Sequence, residues 1–320
     1  MNRLIAAAGL SFLICFVLGP VLIPILRRLK FGQNIRTDGP QSHFKKSGTP
    51  TMGGIMILAA ITISYWTFSD KSITTYLVLL LTLGYGLLGF IDDFIKTVKK
   101  RSLGLRANQK IFGQIVLALA LVFLSMTYSG INTEVFFPFL NKTIDLGWLY
   151  LPFVLVVTLG GSNAVNLTDG LDGLASGITA LVALGYAIIL LSLGHVELAI
   201  FCSTISGACL AFIWYNSNPA QVFMGDTGSL ALGGALALVA ILSKTEFLLV
   251  ILGGVYVIEA LSVIIQVISF RFTGKRVFKM SPIHHHFELS GWPEQKVVMR
   301  FYIITIVFII IGLISWPIRP

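Results

Sequence analysis

Acidic residues are scarce in this sequence and are concentrated at the ends of apolar runs. Only 14 of the 320 residues are acidic, yet Asp92-Asp93, the stretch Asn163–Asp172 and Gly225-Asp226 all adjoin long apolar runs. Magnesium is a hard cation that takes oxygen ligands, and proteins commonly hold it with one or two carboxylates together with substrate phosphates. These stretches therefore predict a site that handles a divalent metal ion and phosphate groups.

The three stretches differ in how specifically they indicate such chemistry. Lys96 follows Asp92 by one helical turn, which favours a phosphate site, but a charged helix end at a membrane interface is an equally good interpretation. In Gly225–Ser229 a carboxylate adjoins flexible backbone at a predicted helix start, where free N–H groups can face phosphate. Four polar residues recur at every third position, which would place them along one stripe of a helix unless glycines interrupt it. A turn built from Asn, Asp and Gly is the weaker alternative for these four residues. They are Asn163, Asn166, Asp169 and Asp172.

Three consecutive histidines, His284, His285 and His286, precede the last apolar run. Consecutive positions point in different directions, which argues against three ligands of one zinc ion. Donors to phosphate or sugar oxygens are the favoured interpretation, and a cluster of interfacial histidines is the alternative.

Composition places these motifs in a membrane protein. With 56% apolar residues, 12% charged residues and a mean hydropathy of +0.88, the chain is too apolar for a soluble globule. About 20 apolar residues span a bilayer as a helix, and backbone exposed to lipid must be internally hydrogen-bonded. We predict an all-α polytopic membrane protein with one domain, residues 1–320, and ten spans. These are Leu4–Leu26, Gly53–Phe68, Ile73–Ile91, Ile111–Tyr128, Trp148–Val165, Leu174–Leu193, Leu198–Trp214, Ser229–Leu242, Phe247–Phe270 and Val297–Trp316.

The distribution of basic residues predicts the orientation. Eighteen of the 23 lysines and arginines lie in or beside the loops after predicted spans one, three and nine. Short loops rich in these residues stay on the cytoplasmic side, so both termini are expected outside. Loops after odd-numbered spans share one side, and therefore all the polar motifs are expected to face the cytoplasm.

Other function classes are less consistent with the sequence. The first apolar run is long and ends in Arg27-Arg28, so we expect a span and not a cleaved signal peptide. The net charge of +9 is explained by basic residues near lipid headgroups, so no nucleic-acid partner is predicted. The three cysteines, Cys15, Cys202 and Cys209, lie within apolar runs and are expected to be buried, without disulfide or zinc spacing.

Glu259 lies inside the ninth predicted span, with Gln266 two turns later on a similar face. Acidic residues within a membrane are usually functional or paired. Two alternatives stay open for Glu259, which are hydrogen bonding that supports helix packing and contact with substrate.

Taken together, the motifs resemble those of the phospho-N-acetylmuramoyl-pentapeptide transferase family, within the polyprenyl-phosphate N-acetylhexosamine-1-phosphate transferase superfamily. The resemblance covers the whole chain and implies Mg²⁺, ten spans, a cytoplasmic-facing site in the bacterial cell membrane and often a homodimer. It implies transfer of phospho-MurNAc-pentapeptide from UDP-MurNAc-pentapeptide to undecaprenyl phosphate, giving lipid I and UMP. The matching stretches, in family order, are Lys46–Gly54, Gly89–Lys96, Asn108–Lys110, Asn163–Gly173, Phe223–Ser229 and His284–Glu288.

The resemblance also implies roles for individual residues. Asp226 is the expected Mg²⁺ ligand, and Asp92 or Asp93 is expected to contact the metal or to accept a proton from the lipid phosphate. The expected catalytic set is completed by His284 and His285. The expected substrate-binding residues are Lys46, Lys96 and Lys110 around the diphosphate, Asn163, Asn166, Asp169, Gly170 and Asp172 at the nucleotide sugar, Phe223 stacked on uracil, and Thr51, Gln266 and His286 in the remaining pocket.

Two functional alternatives and one mechanistic alternative remain open at this point. Transfer of GlcNAc-1-phosphate to a polyprenyl phosphate uses the same Asp motifs, but the histidine run and Thr49–Gly54 favour the muramoyl-pentapeptide branch. A secondary transporter should carry ionisable residues near the membrane midplane and repeated halves, whereas only Glu259 lies well within a span. Direct attack of the lipid phosphate on the β phosphorus is favoured over a two-step route through an aspartyl-phosphate.

Overall fold

Apolar helices make up most of the structure, a computed structural model that describes residues 1–29, 46, 48–98 and 104–315. Within these residues nine helices are long and apolar enough to cross a membrane, and Gly54–Phe68 is a shorter apolar helix. The helices are α1 (Asn2–Arg28), α2 (Gly54–Phe68), α3 (Ile73–Val98), α4 (Ala107–Tyr128), α5 (Tyr150–Thr168), α6 (Leu174–Ser192), α7 (Val196–Asn216), α8 (Gly225–Leu242), α9 (Glu246–Leu252), α10 (Gly254–Thr273), α11 (Ile283–Glu288) and α12 (Glu294–Ser315).

The ten predicted spans correspond to helices, so the all-α membrane fold is confirmed, with two corrections. The prediction that the ninth span is one continuous helix was wrong, because the chain breaks at Gly253 into α9 and α10. A Cβ on Gly254 would lie 2.7 Å from the ring of Phe308 in α12, so α12 packs directly on the backbone at the break. The third helix was predicted to end at Asp92-Asp93, but it continues to Val98.

A short β-hairpin, which the sequence analysis did not predict, lies between α4 and α5. Strands β1 (Glu134–Phe137) and β2 (Lys142–Asp145) pair antiparallel, and Asn141 makes the turn with φ of 46°. Asn tolerates this left-handed conformation better than most residues. The ring of Phe137 lies 4.3 Å from that of Phe247 in α9, so the hairpin is packed against the helix bundle.

Helix α8 lies at the centre of the bundle, and glycines allow its close packing. Of its span, 89% is buried inside the protein, against 28% for α1. A Cβ on Gly233 would lie 2.4 Å from the carbonyl oxygen of Gly161 in α5, and one on Gly234 would lie 2.6 Å from the Tyr85 ring in α3. Helix α8 is continuous through this glycine pair, which therefore marks close contacts and not a break.

Polar residues from the chain start and from two loops meet at one end of the bundle. Arg3 forms an ion pair with Asp70 at 2.8 Å and lies 3.6 Å from Glu197 at the start of α7. Asp70 follows α2 and Glu197 follows the α6–α7 loop, so even-numbered connections share one end, as the predicted alternation requires. The three cysteines are buried and free, as predicted. Some residues used for the orientation lie outside the described part of the chain, namely Lys30, Arg36, Lys45, Lys99, Lys100, Arg101 and Arg319, as does Trp316.

Candidate active site

Three carboxylates converge where α3 meets the start of α8. Asp92 and Asp93 on α3 and Asp226 in the first turn of α8 each offer an oxygen, and these oxygens lie within 4.8 Å of one another. Oxygen donors grouped in this way suit a hard divalent cation. Two of the predicted stretches, more than 130 residues apart, therefore form one cluster.

Glycines in the motifs let the backbones approach closely at this cluster. A Cβ on Gly89 would lie 2.1 Å from the carbonyl oxygen of Asp226, and a Cβ on Gly54 would lie 2.2 Å from the backbone nitrogen of Gly228. Gly225 has a φ of +73°, and its Cβ would lie 2.5 Å from Asp93 Oδ2. Side chains at these positions would push α2 and α3 away from the start of α8.

Asp93 caps the first turn of α8. Its Oδ1 accepts a hydrogen bond from the Asp226 backbone N–H at 3.1 Å, and its Oδ2 accepts bonds from the Thr227 N–H at 2.9 Å and the Thr227 hydroxyl at 2.7 Å. The first turn of a helix has free N–H groups that need acceptors. Asp93 thus fixes the backbone that carries Asp226.

Asp92 has different partners from its neighbour. Its Oδ1 accepts a hydrogen bond from the Leu105 backbone N–H at 2.7 Å, and its Oδ2 lies 2.5 Å from Lys96 Nζ one turn along α3. The two adjacent aspartates therefore hold different parts of the chain, and the sequence alone could not tell which partners each one has.

Two lysines and an asparagine surround the carboxylate of Asp226. Its Oδ2 lies 2.7 Å from Lys110 Nζ in α4 and 3.0 Å from Lys96 Nζ, while its Oδ1 accepts a 2.8 Å hydrogen bond from Asn166 Nδ2 in α5. Asn166 Nδ2 also donates to Ser229 Oγ at 2.8 Å. We call Asp92, Asp93, Asp226, Lys96, Lys110 and Asn166 the carboxylate cluster; it combines residues of α3, α4, α5 and α8.

A second polar group joins the α5–α6 loop to α12. Lys46 Nζ lies 2.7 Å from Asp172 Oδ1 and 2.6 Å from Glu294 Oε1. Asn218 Nδ2 donates to both acids, at 3.1 and 2.9 Å. Lys46 and Asp172 were predicted to bind different parts of the substrate, and the structure pairs them with each other.

The α5–α6 loop lies between the two groups. It interrupts the stripe of polar residues, as the glycines indicated, because α5 ends at Thr168. Asp169 is held in a negative environment: loss of hydration, followed by the carboxylates of Asp226 and Asp93, raises its pKa well above the usual range. This loop therefore places a carboxyl with a raised pKa beside the carboxylate cluster.

The three histidines have three different partners, as their consecutive positions predicted. His284 Nδ1 lies 3.1 Å from Glu259 Oε2, and His285 Nδ1 lies 2.8 Å from Glu288 Oε2. His286 Nδ1 accepts a 3.1 Å hydrogen bond from the Lys279 backbone N–H.

Several other predicted residues lie at the edges of the site. A Cβ on Gly170 would lie 2.3 Å from His284 Nε2, and one on Gly225 would lie 2.8 Å from Thr51 Oγ1. The Phe223 backbone pairs with Pro50 and Gly53, which holds the stretch around Thr51 beside the start of α8.

Two predicted residues are engaged in contacts with other parts of the protein. Asn163 Nδ2 donates to Gln114 Oε1 in α4 at 2.9 Å. Gln266 holds the chain after α10, because its Oε1 accepts the backbone N–H groups of Val277 at 3.0 Å and Phe278 at 2.9 Å, and its Nε2 donates to the Phe278 carbonyl at 3.0 Å.

Sequence reasoning missed the polar partners of these residues. Glu294 was identifiable as one of few acids beside a span, but nothing in its surroundings indicated Lys46 or Asp172 as partners. Thr227 and Ser229 lie within the predicted stretch Phe223–Ser229 but were given no role, and Gln114 and Asn218 lie outside the predicted stretches. Each of these four side chains joins segments that are far apart in the chain.

Comparison with known proteins places this chain in a family. Residues 74–244 match the model described as Glycosyl transferase family 4, and residues 46–58 match Phospho-N-acetylmuramoyl-pentapeptide-transferase signature 1. A protein of Anoxybacillus flavithermus named phospho-N-acetylmuramoyl-pentapeptide-transferase is 56% identical over 96% of this chain and 95% of its own length. The chain belongs to the phospho-N-acetylmuramoyl-pentapeptide transferase family.

Further relatives of that name come from other bacteria. The one from Halalkalibacterium halodurans is 56% identical over 95% of this chain and 94% of its own. The one from Desulforamulus reducens is 55% identical over 97% of this chain and 94% of its own. Membership of the phospho-N-acetylmuramoyl-pentapeptide transferase family confirms the resemblance found in the motifs, and the signature match includes Lys46 and Thr51.

Proposed function

We propose that this protein transfers phospho-MurNAc-pentapeptide from UDP-MurNAc-pentapeptide to undecaprenyl phosphate, forming lipid I and releasing UMP. Similarity along nearly the whole chain to proteins named for this transferase activity carries the proposal. The carboxylate cluster supports it, because it combines oxygen ligands with two lysines at the ends of membrane helices. One substrate is a soluble nucleotide and the other a lipid whose phosphate lies at the headgroup plane, so the reaction belongs at this boundary.

The carboxylate cluster fits a Mg²⁺ ion by its chemistry and spacing. Asp226 and Asp92 are our first choices as ligands, and Asp93, whose oxygens already cap α8, contributes mainly by fixing Asp226. Bound Mg²⁺ would neutralise the diphosphate and stabilise the charge that develops on the leaving UMP.

The protein's own cations are arranged to bind the diphosphate. Lys96 and Lys110 both reach Asp226 Oδ2, so their ammonium groups lie where phosphate oxygens would approach the cluster. Phosphoryl transfer depends mainly on positioning and charge stabilisation. A phosphate monoester with a second pKa of about 6 is already largely dianionic near neutral pH. A strong base is therefore unnecessary, and direct attack of the lipid phosphate on the β phosphorus is the favoured route.

The proposal includes a location and an assembly state. The protein lies in the bacterial cytoplasmic membrane as a single catalytic domain with both termini outside, and the carboxylate cluster faces the cytoplasm. Support comes from the basic residues after spans one, three and nine. The homodimer implied by the family resemblance is part of the proposal, and the mass of the detergent-solubilised protein tests it.

The activity is tested with purified protein in detergent, undecaprenyl phosphate and Mg²⁺. UMP release should require UDP-MurNAc-pentapeptide and should be absent with UDP-GlcNAc as the donor. Release from UDP-GlcNAc alone would favour the GlcNAc-1-phosphate transferase alternative. Asp226→Ala should abolish release while the protein remains folded. A burst of UMP without the lipid substrate would contradict direct attack.

A further inference from the structure

A fully buried acid–histidine pair links α10 to α11. Glu259 in α10 and His284 in α11 both have 0% exposed side chains, and His284 Nδ1 lies 3.1 Å from Glu259 Oε2. We propose that Glu259 is a positioning residue that acts through His284: it accepts the Nδ1–H and turns Nε2 toward the nucleotide-sugar loop. This proposal rests on the proposed function.

The other ring nitrogen of His284 faces the α5–α6 loop. Within the described residues, His284 Nε2 is buried without a hydrogen-bond partner. A Cβ on Gly170 would lie only 2.3 Å from this nitrogen, so the imidazole fills the space of the missing side chain. Gly170 lies between Asp169, beside the carboxylate cluster, and Asp172, bonded to Lys46.

One ring nitrogen of His284 is held by Glu259, and the other is buried at the substrate loop without a partner in the described part of the chain. A carboxylate that accepts one ring N–H fixes the orientation of an imidazole and determines which nitrogen is presented elsewhere. A buried polar atom without a partner is costly, so Nε2 at the loop indicates a missing polar group. With the proton on Nδ1, Nε2 is an acceptor, and a hydroxyl of a nucleotide sugar on this loop would donate the missing hydrogen bond.

The pair gives the acidic residue inside this membrane helix a polar partner. Glu259 Oε1 also has no hydrogen-bond partner among the described residues, so packing alone does not satisfy this carboxylate. The contact with His284 joins the helix after the Gly253 break to the histidine segment, and through Gly170 to the substrate loop. The bond to His284 agrees with the sequence alternative in which Glu259 supports helix packing through hydrogen bonding, and through His284 it also orients a ring nitrogen at the substrate loop.

Kinetics of a double-mutant cycle test the coupling. Glu259→Leu should lower kcat/KM for the nucleotide sugar by about 10- to 100-fold, the usual effect of removing a residue that orients a functional ligand. Glu259→Gln keeps an acceptor oxygen and should retain more activity. In a His284→Gln background Glu259→Leu should cause almost no further loss, because the two residues act as a unit. If the fold-losses in kcat/KM of Glu259→Leu and His284→Gln simply multiplied in the double variant, the proposal would be overturned.

A matched control separates this effect from the general cost of changing a buried acid. Glu246 is also buried, with 1% exposure, at the start of α9. Glu246→Gln should leave kcat/KM unchanged. An equal loss of kcat/KM in Glu246→Gln and Glu259→Gln would contradict a specific role for Glu259.

Nitrogen NMR of histidine-labelled protein tests the pair without any activity measurement. The His284 signals are identified by their loss in His284→Gln. They should show a protonated Nδ1 that is protected from exchange, and Glu259→Leu or Glu259→Gln should change that signal. An unprotonated Nδ1, or His284 signals that do not change when Glu259 is replaced, would overturn the proposal. If wild-type protein bound no nucleotide sugar but kept the protonated Nδ1, the proposed function would fail while the pair stood.

Discussion

At the scale of single residues, two adjacent aspartates have separable tasks. Asp93 has three donors from the first turn of α8, whereas Asp92 pairs with Lys96 and the backbone of Leu105. A cap stabilises a helix by satisfying its free N–H groups. We therefore expect Asp93 to affect activity through the position of Asp226.

Replacement of Asp93 is predicted to destabilise the protein. Asp93→Ala should lower the free energy of unfolding by about 1–2 kcal/mol, since the cap of a buried helix is lost. Asp93→Asn should be intermediate, because its amide offers one acceptor oxygen in place of two. Thermal unfolding in detergent measures both variants. Wild-type stability of Asp93→Ala would show that the cap is unimportant.

Asp169 is predicted to reduce stability in favour of function. A carboxyl whose pKa is raised by folding contributes stability that is fully present below its unfolded pKa and is lost as the pH rises through the folded pKa. Ionised Asp169 therefore opposes folding, and its pKa is raised by lost hydration and nearby carboxylates.

Asp169→Asn should accordingly raise the unfolding temperature in metal-free buffer. The gain should be larger at about pH 8 than at about pH 5, because the wild-type carboxyl is protonated more at low pH. Equal gains at the two pH values, or a loss of stability, would contradict the assigned environment.

At the scale of helices, the fold depends on glycines that permit backbone contact. Helices α1 and α7 are also tied by hydrogen bonds from Ser11 to the Thr204 carbonyl and from Tyr215 to the Phe16 carbonyl, each 2.7 Å long. A Cβ on Gly207 would lie 2.1 Å from the carbonyl oxygen of Ala8.

Replacement by alanine is therefore predicted to have opposite effects on stability at two glycines in helices. Gly207→Ala should destabilise the protein by about 1–3 kcal/mol, because α1 and α7 must separate. Gly9→Ala is the matched control, since nothing lies within 4 Å of its Cβ position, and alanine favours a helix. Unfolding temperatures decide the matter. Equal effects of the two changes would show that the close contact is unimportant.

The helices could be predicted from hydropathy, but their interruptions could not. Apolar runs identify spans because lipid forces the backbone into helices. At the Gly253 break the backbone is packed against Phe308, which is distant in sequence, and the hairpin contacts α9 through Phe137 and Phe247. Chemistry-bearing residue types were visible in the motifs, whereas pairings such as Lys46 with Asp172 required the three-dimensional structure.

At the scale of the whole molecule, the proposed orientation predicts which loops are accessible from outside the cell. Ile144 in the hairpin and Val277 after α10 are both exposed aliphatic residues, at 43% and 54%. The native cysteines are buried, so an introduced cysteine can be labelled selectively. In intact spheroplasts, an impermeant maleimide should label Ile144→Cys and should not label Val277→Cys. The reverse pattern would invert the orientation.

The central claim is that Asp226 and Asp92 hold the divalent ion that binds the diphosphate. Electron–nuclear double resonance of Mn²⁺-substituted protein with UDP-MurNAc-pentapeptide tests it most directly. We predict one bound Mn²⁺ per chain, coupled to phosphorus, displaced by Mg²⁺ and absent in folded Asp226→Asn. Equal Mn²⁺ binding in that variant, or bound Mn²⁺ without phosphorus coupling in the wild type, would contradict the account.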